Sequence, residues 1–153
     1  HIGDRRQRQM CIRDSLNALH YAATRAAKTG GGVEVLAIIT PQDQTHWLGV
    51  AEKMREEARE TIKENFQIYS NWMKDELKLE AELVIREGEK ATEVLNQISE
   101  DKEVGVLVLG ANNSSEGPGP LISQLVSRDG GNLPIPVTIV PGSMTKERIE
   151  AVS

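Results

Sequence analysis

Apolar residues recur along this chain in two alternating rhythms. Leu16, Leu19, Ala23 and Ala26 or Ala27 keep helical spacing, with Asp14 or Ser15 placed to cap the helix and Gly30 to Gly32 placed to end it. Val33 to Thr40 is nearly continuous in apolar residues after Glu34, as a strand buried on both faces would be. Trp47, Ala51, Met54, Ala58, Ile62, Phe66, Tyr69, Met73 and Leu77 then follow at steps of three or four among Glu, Arg, Lys, Asn and Gln. This predicts one amphipathic helix of roughly 50 Å, whose stripe is read as core. A strand of ordinary length is only about 20 Å, so the helix should overhang the sheet or kink.

The alternation continues. Glu80 to Arg86 is predicted as an edge strand, and Ala91, Val94, Leu95 and Ile98 mark a short helix. Val104 to Leu109 is a buried strand ending at Gly110. Pro120 opens a helix carried by Leu121, Ile122, Leu125 and Val126, and Val137 to Val140 is the last strand. Thr145 to Val152 adds a short terminal helix. Strands alternating with helices in this way build a doubly wound parallel α/β sheet with helices on both faces. Such sheets take ligands beyond the carboxyl ends of their strands, where strand order reverses.

Residues 1–15 break the pattern. They are rich in Arg and Gln, with only Met10 and Ile12 to face inward, and RQRQMCIRDS resembles a translated adaptor scar. They are read as a non-native or disordered segment, ahead of an α/β domain at 16–142 and a C-terminal tail at 143–153. The first strand of the sheet is therefore expected to be missing or replaced, with residues 8–13 pressed into its place. The native chain is expected to carry an apolar strand before Leu16.

Composition narrows the function. The 153 residues suit one domain, and a net charge of −5 argues against nucleic acid or an anionic membrane as partner. No apolar run reaches the roughly 18 residues of a membrane span. One cysteine, Cys11, leaves no internal disulfide framework and makes a reducing cytoplasm the expected location. His20 and His46 are placed on helix surfaces or starts, without Cys, Asp or Glu at metal-ligand spacing, so no metal is expected. No base, nucleophile or metal cluster supports catalysis, and the chain is expected not to be an enzyme.

The chemistry concentrates after Gly110, in ANNSSEGPGPLISQLVS. Glycine allows a backbone to approach a ligand closely, and a helix N-terminus presents free N–H groups to an anion. Asn112 and Asn113 can bond a ribose or phosphate, or hold a left-handed turn. Gly117 and Gly119 can shape an anion nest or a rigid loop, and Ser123 lies in the first turn of the following helix.

The order of elements, LVLGANN with GPGP after the fourth strand, and LPIPVTIVP as the closing strand resemble the universal stress protein family. The likeness covers residues 16–141, and the VIREG segment at Val84 to Gly88 is similar to a bacterial branch with a GPGP loop. The resemblance implies a flavodoxin-like five-stranded parallel sheet of order 3-2-1-4-5. It also implies a small cytoplasmic stress-response binding or signalling protein that holds ATP or another adenine nucleotide at the loop after the fourth strand. Nucleotide-binding members carry G-x2-G-x9-G-S/T there, and an Asp at the end of the first strand. Gly110 matches the first glycine, but Asn113 stands at the second, and no Gly-Ser or Gly-Thr pair follows. Gly117 and Gly119 are offset replacements, Ser123 and Ser127 supply hydroxyls, and Asp14 stands in for the Asp. The implied nucleotide site is thus Asp14, Ile39, Gly110, Asn112, Asn113, Gly117, Gly119, Ser123 and Ser127. The missing glycines equally suit an interaction protein without nucleotide. The expected partner is a second copy, paired through the last strand, Val137 to Val140.

Overall fold

A computed structural model describes residues 8–12, 16–40, 48–111, 120–129 and 133–153. Five parallel strands form one sheet: β1 (Arg8–Ile12), β2 (Gly32–Ile39), β3 (Ala81–Glu87), β4 (Val104–Ala111) and β5 (Val137–Pro141). Their order is β3-β2-β1-β4-β5. The helices are α1 (Leu16–Thr29), α2 (Leu48–Leu77), α3 (Lys90–Glu100), α4 (Pro120–Asp129) and α5 (Lys146–Val152).

Of the two expectations for the first strand, missing or replaced with residues 8–13 pressed into its place, the structure has the second. Arg8–Ile12 occupies the centre of the sheet, with Met10 in register with Glu34 on one side and Leu107 on the other. Backbone N–H and C=O groups of β2 and β4 need partners whatever the side chains, so a polar segment can supply the central ladder. The fit is irregular at its start, where the register with β4 shifts between Arg8 and Gln9.

Side chains of β2 alternate between two helical layers, as the pleat requires. Val33 and Val35 join Ala18, Leu19, Ala22, Ala23, Met73 and Val140 in one core, beneath α1 and α2. Leu36 joins Ala91, Val94, Ile98, Leu107, Ile122 and Leu125 in the other, beneath α3 and α4. The four buried alanines of α1 let that helix lie close to the sheet, and Gly30, at φ 75°, turns the chain from α1 into β2. Helix α5 adds the fully buried Ile149, and Lys28 of α1 donates to the carbonyls of Glu150 and Ser153 at 2.7 and 3.2 Å.

Helix α2 runs for 30 residues, about 45 Å, against about 26 Å for the eight residues of β2. The expected overhang is present, and it corrects the reading of the whole apolar stripe as core. Met73 is fully buried, Ile62, Phe66 and Tyr69 are half-buried, and Met54 is 41% exposed. Among the described stripe residues, burial falls toward the amino-terminal end. That end is tied down by Glu87 at the end of β3, which accepts from Arg59 at 2.5 Å and from Arg55 at 3.5 Å.

Candidate functional site

The carboxyl ends of β1 and β4 lie side by side at the middle of the sheet. From β1 the chain passes to α1, on the layer that also holds α2. From β4 it passes to α4, on the opposite layer with α3. Connections that part to opposite faces leave a crevice above the strand ends, the site that open α/β sheets use for ligands.

Several described groups stand at or beyond the carboxyl ends of the strands. Gly110, half-buried, is the penultimate residue of β4 and in register with Val140. Ile39 ends β2, in register with Glu87, and its carbonyl accepts from the Gly88 N–H at 3.0 Å. Gly88 has φ 151°, a conformation that side-chain-bearing residues rarely adopt. Asn17, in the first turn of α1, donates its amide to the carbonyls of Gly142 and Met144 at 2.9 and 3.1 Å. That pair of bonds fixes the start of α1 to the turn after β5.

Of the site residues expected from sequence, Ile39 and Gly110 thus lie at strand ends. Ser123 and Ser127 sit on the exposed side of α4, away from the buried Ile122 and Leu125. The Ser127 hydroxyl donates to the Ser123 carbonyl at 2.5 Å, so its proton is already engaged within the helix. Asp14, Asn112, Asn113, Gly117 and Gly119 lie outside the described residues, as do His46 and the loop between β4 and α4.

The expectation of a surface His20 is corrected. Its side chain is only 17% exposed, and its ring meets the Trp72 ring edge-on, with centroids 5.4 Å apart and planes at 83°. Burial lowers its pKa from the ordinary 6.5; Glu150, 3.7 Å away, works in the opposite direction, and Lys146 adds to the lowering. Among the described residues, no three His, Cys, Asp or Glu side chains gather as a metal-ion group. None of the described helices is long and apolar enough to cross a membrane.

Sequence reasoning missed one buried polar chain. Glu34, 1% exposed in β2, accepts from the Gln97 amide of α3 at 3.1 Å. The Gln97 carbonyl oxygen accepts from Arg86 of β3 at 2.9 Å, and Arg86 also pairs with Glu93 at 2.8 Å and Glu100 at 2.9 Å. The hydrogen bond to Glu93 is the main cause of a raised Arg86 pKa. At the end of β3, hydrogen bonding to Arg59 holds the Glu87 carboxyl below its usual range. Glu34 was visible as the lone charge in an apolar strand, but nothing in the sequence showed that it would meet the Gln97 amide.

Comparison with known proteins follows this architecture. The universal stress protein family model matches residues 12–141. A universal stress protein from Lactobacillus plantarum superposes with a TM-score of 0.73 at 14% identity, covering 88% of this chain and 97% of that one. A universal stress protein solved in complex with cAMP gives 0.63 at 16% identity, covering 90% and 98%. One from Archaeoglobus fulgidus gives 0.58 at 16%, covering 87% and 92%. No curated protein matches the sequence.

Proposed function

Because this chain belongs to the universal stress protein family, we propose that it is a stress-response binding protein that takes an adenine nucleotide in the crevice above β1 and β4. The observation that carries this reading is the parting of the chain at those two adjacent strand ends, with Gly110 at the lip of β4. A strand end without a Cβ admits a close backbone approach, and the chain that follows leads into the amino-terminal end of α4, where unpaired N–H groups attract phosphate. A neighbour of the same fold holds cAMP, which makes an adenine ring a reasonable guest of such a crevice. The activity is binding and signalling in the cytoplasm rather than catalysis.

Equilibrium dialysis of the full chain against labelled ATP, ADP, AMP and cAMP tests this. Saturable retention of at least one of them below millimolar concentration is the expected result. No retention of any at millimolar ligand ends the nucleotide reading.

One feature favours a second reading, an interaction protein without nucleotide. Strand β5 is a sheet edge, and Ile139 on it is 43% exposed. An open apolar edge is a template for pairing with another copy. Under this reading the chain sediments as a dimer and Ile139→Pro, which removes a backbone donor from the open side of β5, sediments as a monomer. A dimer unchanged by Ile139→Pro takes β5 out of the interface.

A further inference from the structure

A cleft of about 390 Å³ opens between the first turns of α1 and the carboxyl-terminal half of α2. It belongs to the α1–α2 layer, whereas Ser123 and the rest of α4 lie across the sheet. Leu19, Tyr69, Trp72 and His20 form its walls, and Leu16 and Ile68 stand at its mouth. Those last two are 63% and 64% exposed, more than any other large apolar side chain among the described residues.

The lining holds no charged side chain. Asn17 contributes to it, but its amide nitrogen is already engaged with Gly142 and Met144. The His20 imidazole is held by its edge-on contact with Trp72 and faces Glu150, a carboxylate that would repel an anion. The cleft therefore offers aromatic surface and no cationic group to compensate a ligand charge. Burying an uncompensated charge there is costly, so an uncharged guest is favoured. Its volume falls in the range of small-molecule sites, which are typically apolar with few polar groups. Its seven lining residues are far fewer than the roughly 20–30 a side of a stable protein interface.

We infer that this cleft is a second ligand site, taking a small, uncharged aromatic molecule of one or two rings between Leu16 and Ile68. The ring stacks or packs edge-on against Trp72 and Tyr69, and closing the mouth covers two apolar side chains that otherwise face water. Its walls come from α1 and α2, whereas the crevice lies above the ends of β1 and β4.

The test uses N-phenyl-1-naphthylamine, an uncharged probe that brightens on leaving water, titrated into the full chain. Anilinonaphthalene sulfonate serves as its anionic counterpart. The proposal expects saturable binding of the first probe at one site per chain, at least tenfold tighter than the sulfonate. It expects Leu16→Glu and Ile68→Glu each to weaken the uncharged probe at least tenfold, with unchanged circular dichroism and melting. Both positions are solvent-facing, so the fold survives the substitution. Excess ATP leaves the signal in place. Absence of saturable binding overturns the proposal, as does equal affinity for the sulfonate or indifference to both mouth variants. Sedimentation of Ile68→Glu supplies a further check: conversion of a dimer to a monomer would assign the cleft to an interface between copies instead.

Discussion

Removing the Arg86 guanidinium should destabilise this fold measurably. Arg86→Met keeps most of the aliphatic stem and deletes the donors to Glu93, Gln97 and Glu100. The Glu93 bond is charge-assisted, at 2.8 Å between side chains 22% and 17% exposed, and such bonds contribute about 1.5–3 kcal/mol. The Glu100 arm reaches a carboxylate that is 64% exposed, worth about 0–1 kcal/mol. The third effect is indirect. Gln97 loses the donor that orients it, and with it the alignment of the amide on buried Glu34, for about 1 kcal/mol more. The sum is about 2.5–5 kcal/mol. With a urea m-value of about 2 kcal/mol/M, the unfolding midpoint falls by about 1.2–2.5 M. Equilibrium urea denaturation followed by circular dichroism reads this directly. Glu100→Gln is the internal control and should move stability by less than about 0.5 kcal/mol. An Arg86→Met midpoint within 0.3 M of the parent, or a Glu100→Gln loss of the same size as Arg86→Met, would refute the argument that the partly buried arm carries the energy.

Two other outcomes follow from the same geometry. Gly88→Ala places a Cβ 2.8 Å from the Glu93 carboxylate at φ 151°, so it should lower stability by about 1–3 kcal/mol in thermal melts, partly by displacing Glu93 from Arg86. For His20, the folded pKa lies below 6.5 because of burial, so the unfolded chain binds the proton more readily. Its contribution to stability is complete above pH 6.5 and is lost as pH falls through the folded value, and His20→Gln should flatten the fall of stability in urea titrations across that range.

Much of the architecture was legible because local pattern and burial agree. The 3.6-residue stripes of α1, α3 and α4 predicted the residues that pack, such as Ala23, Val94 and Leu125. Helix α2 was legible in extent but not in burial, because periodicity reports a face and not what lies beneath it. Met54 and Met73 both belong to the stripe, yet only Met73 is buried. The candidate site was legible only at its strand ends. Gly110 and Ile39 come to the carboxyl edge of the sheet because they terminate strands. The engagement of the Ser127 hydroxyl with the Ser123 carbonyl was not readable, since it depends on a side-chain rotamer. His20 was misplaced because the rings of Trp72 and His20 meet across 52 residues of sequence only once α1 and α2 lie side by side.

The amino-acid order alone determined the alternation of strand and helix, the parallel sheet it compels and the family likeness, since these depend on periodicity and on turn residues such as Gly30, Gly110 and Pro120. Tertiary structure decided between a missing first strand and one supplied by Arg8–Ile12, since ladder hydrogen bonds are made by backbone and are indifferent to the side chains carried. It alone brought Glu34, Gln97 and Arg86 together and opened the cleft between α1 and α2. Contacts between distant segments arise from how layers stack, and no local rhythm encodes that.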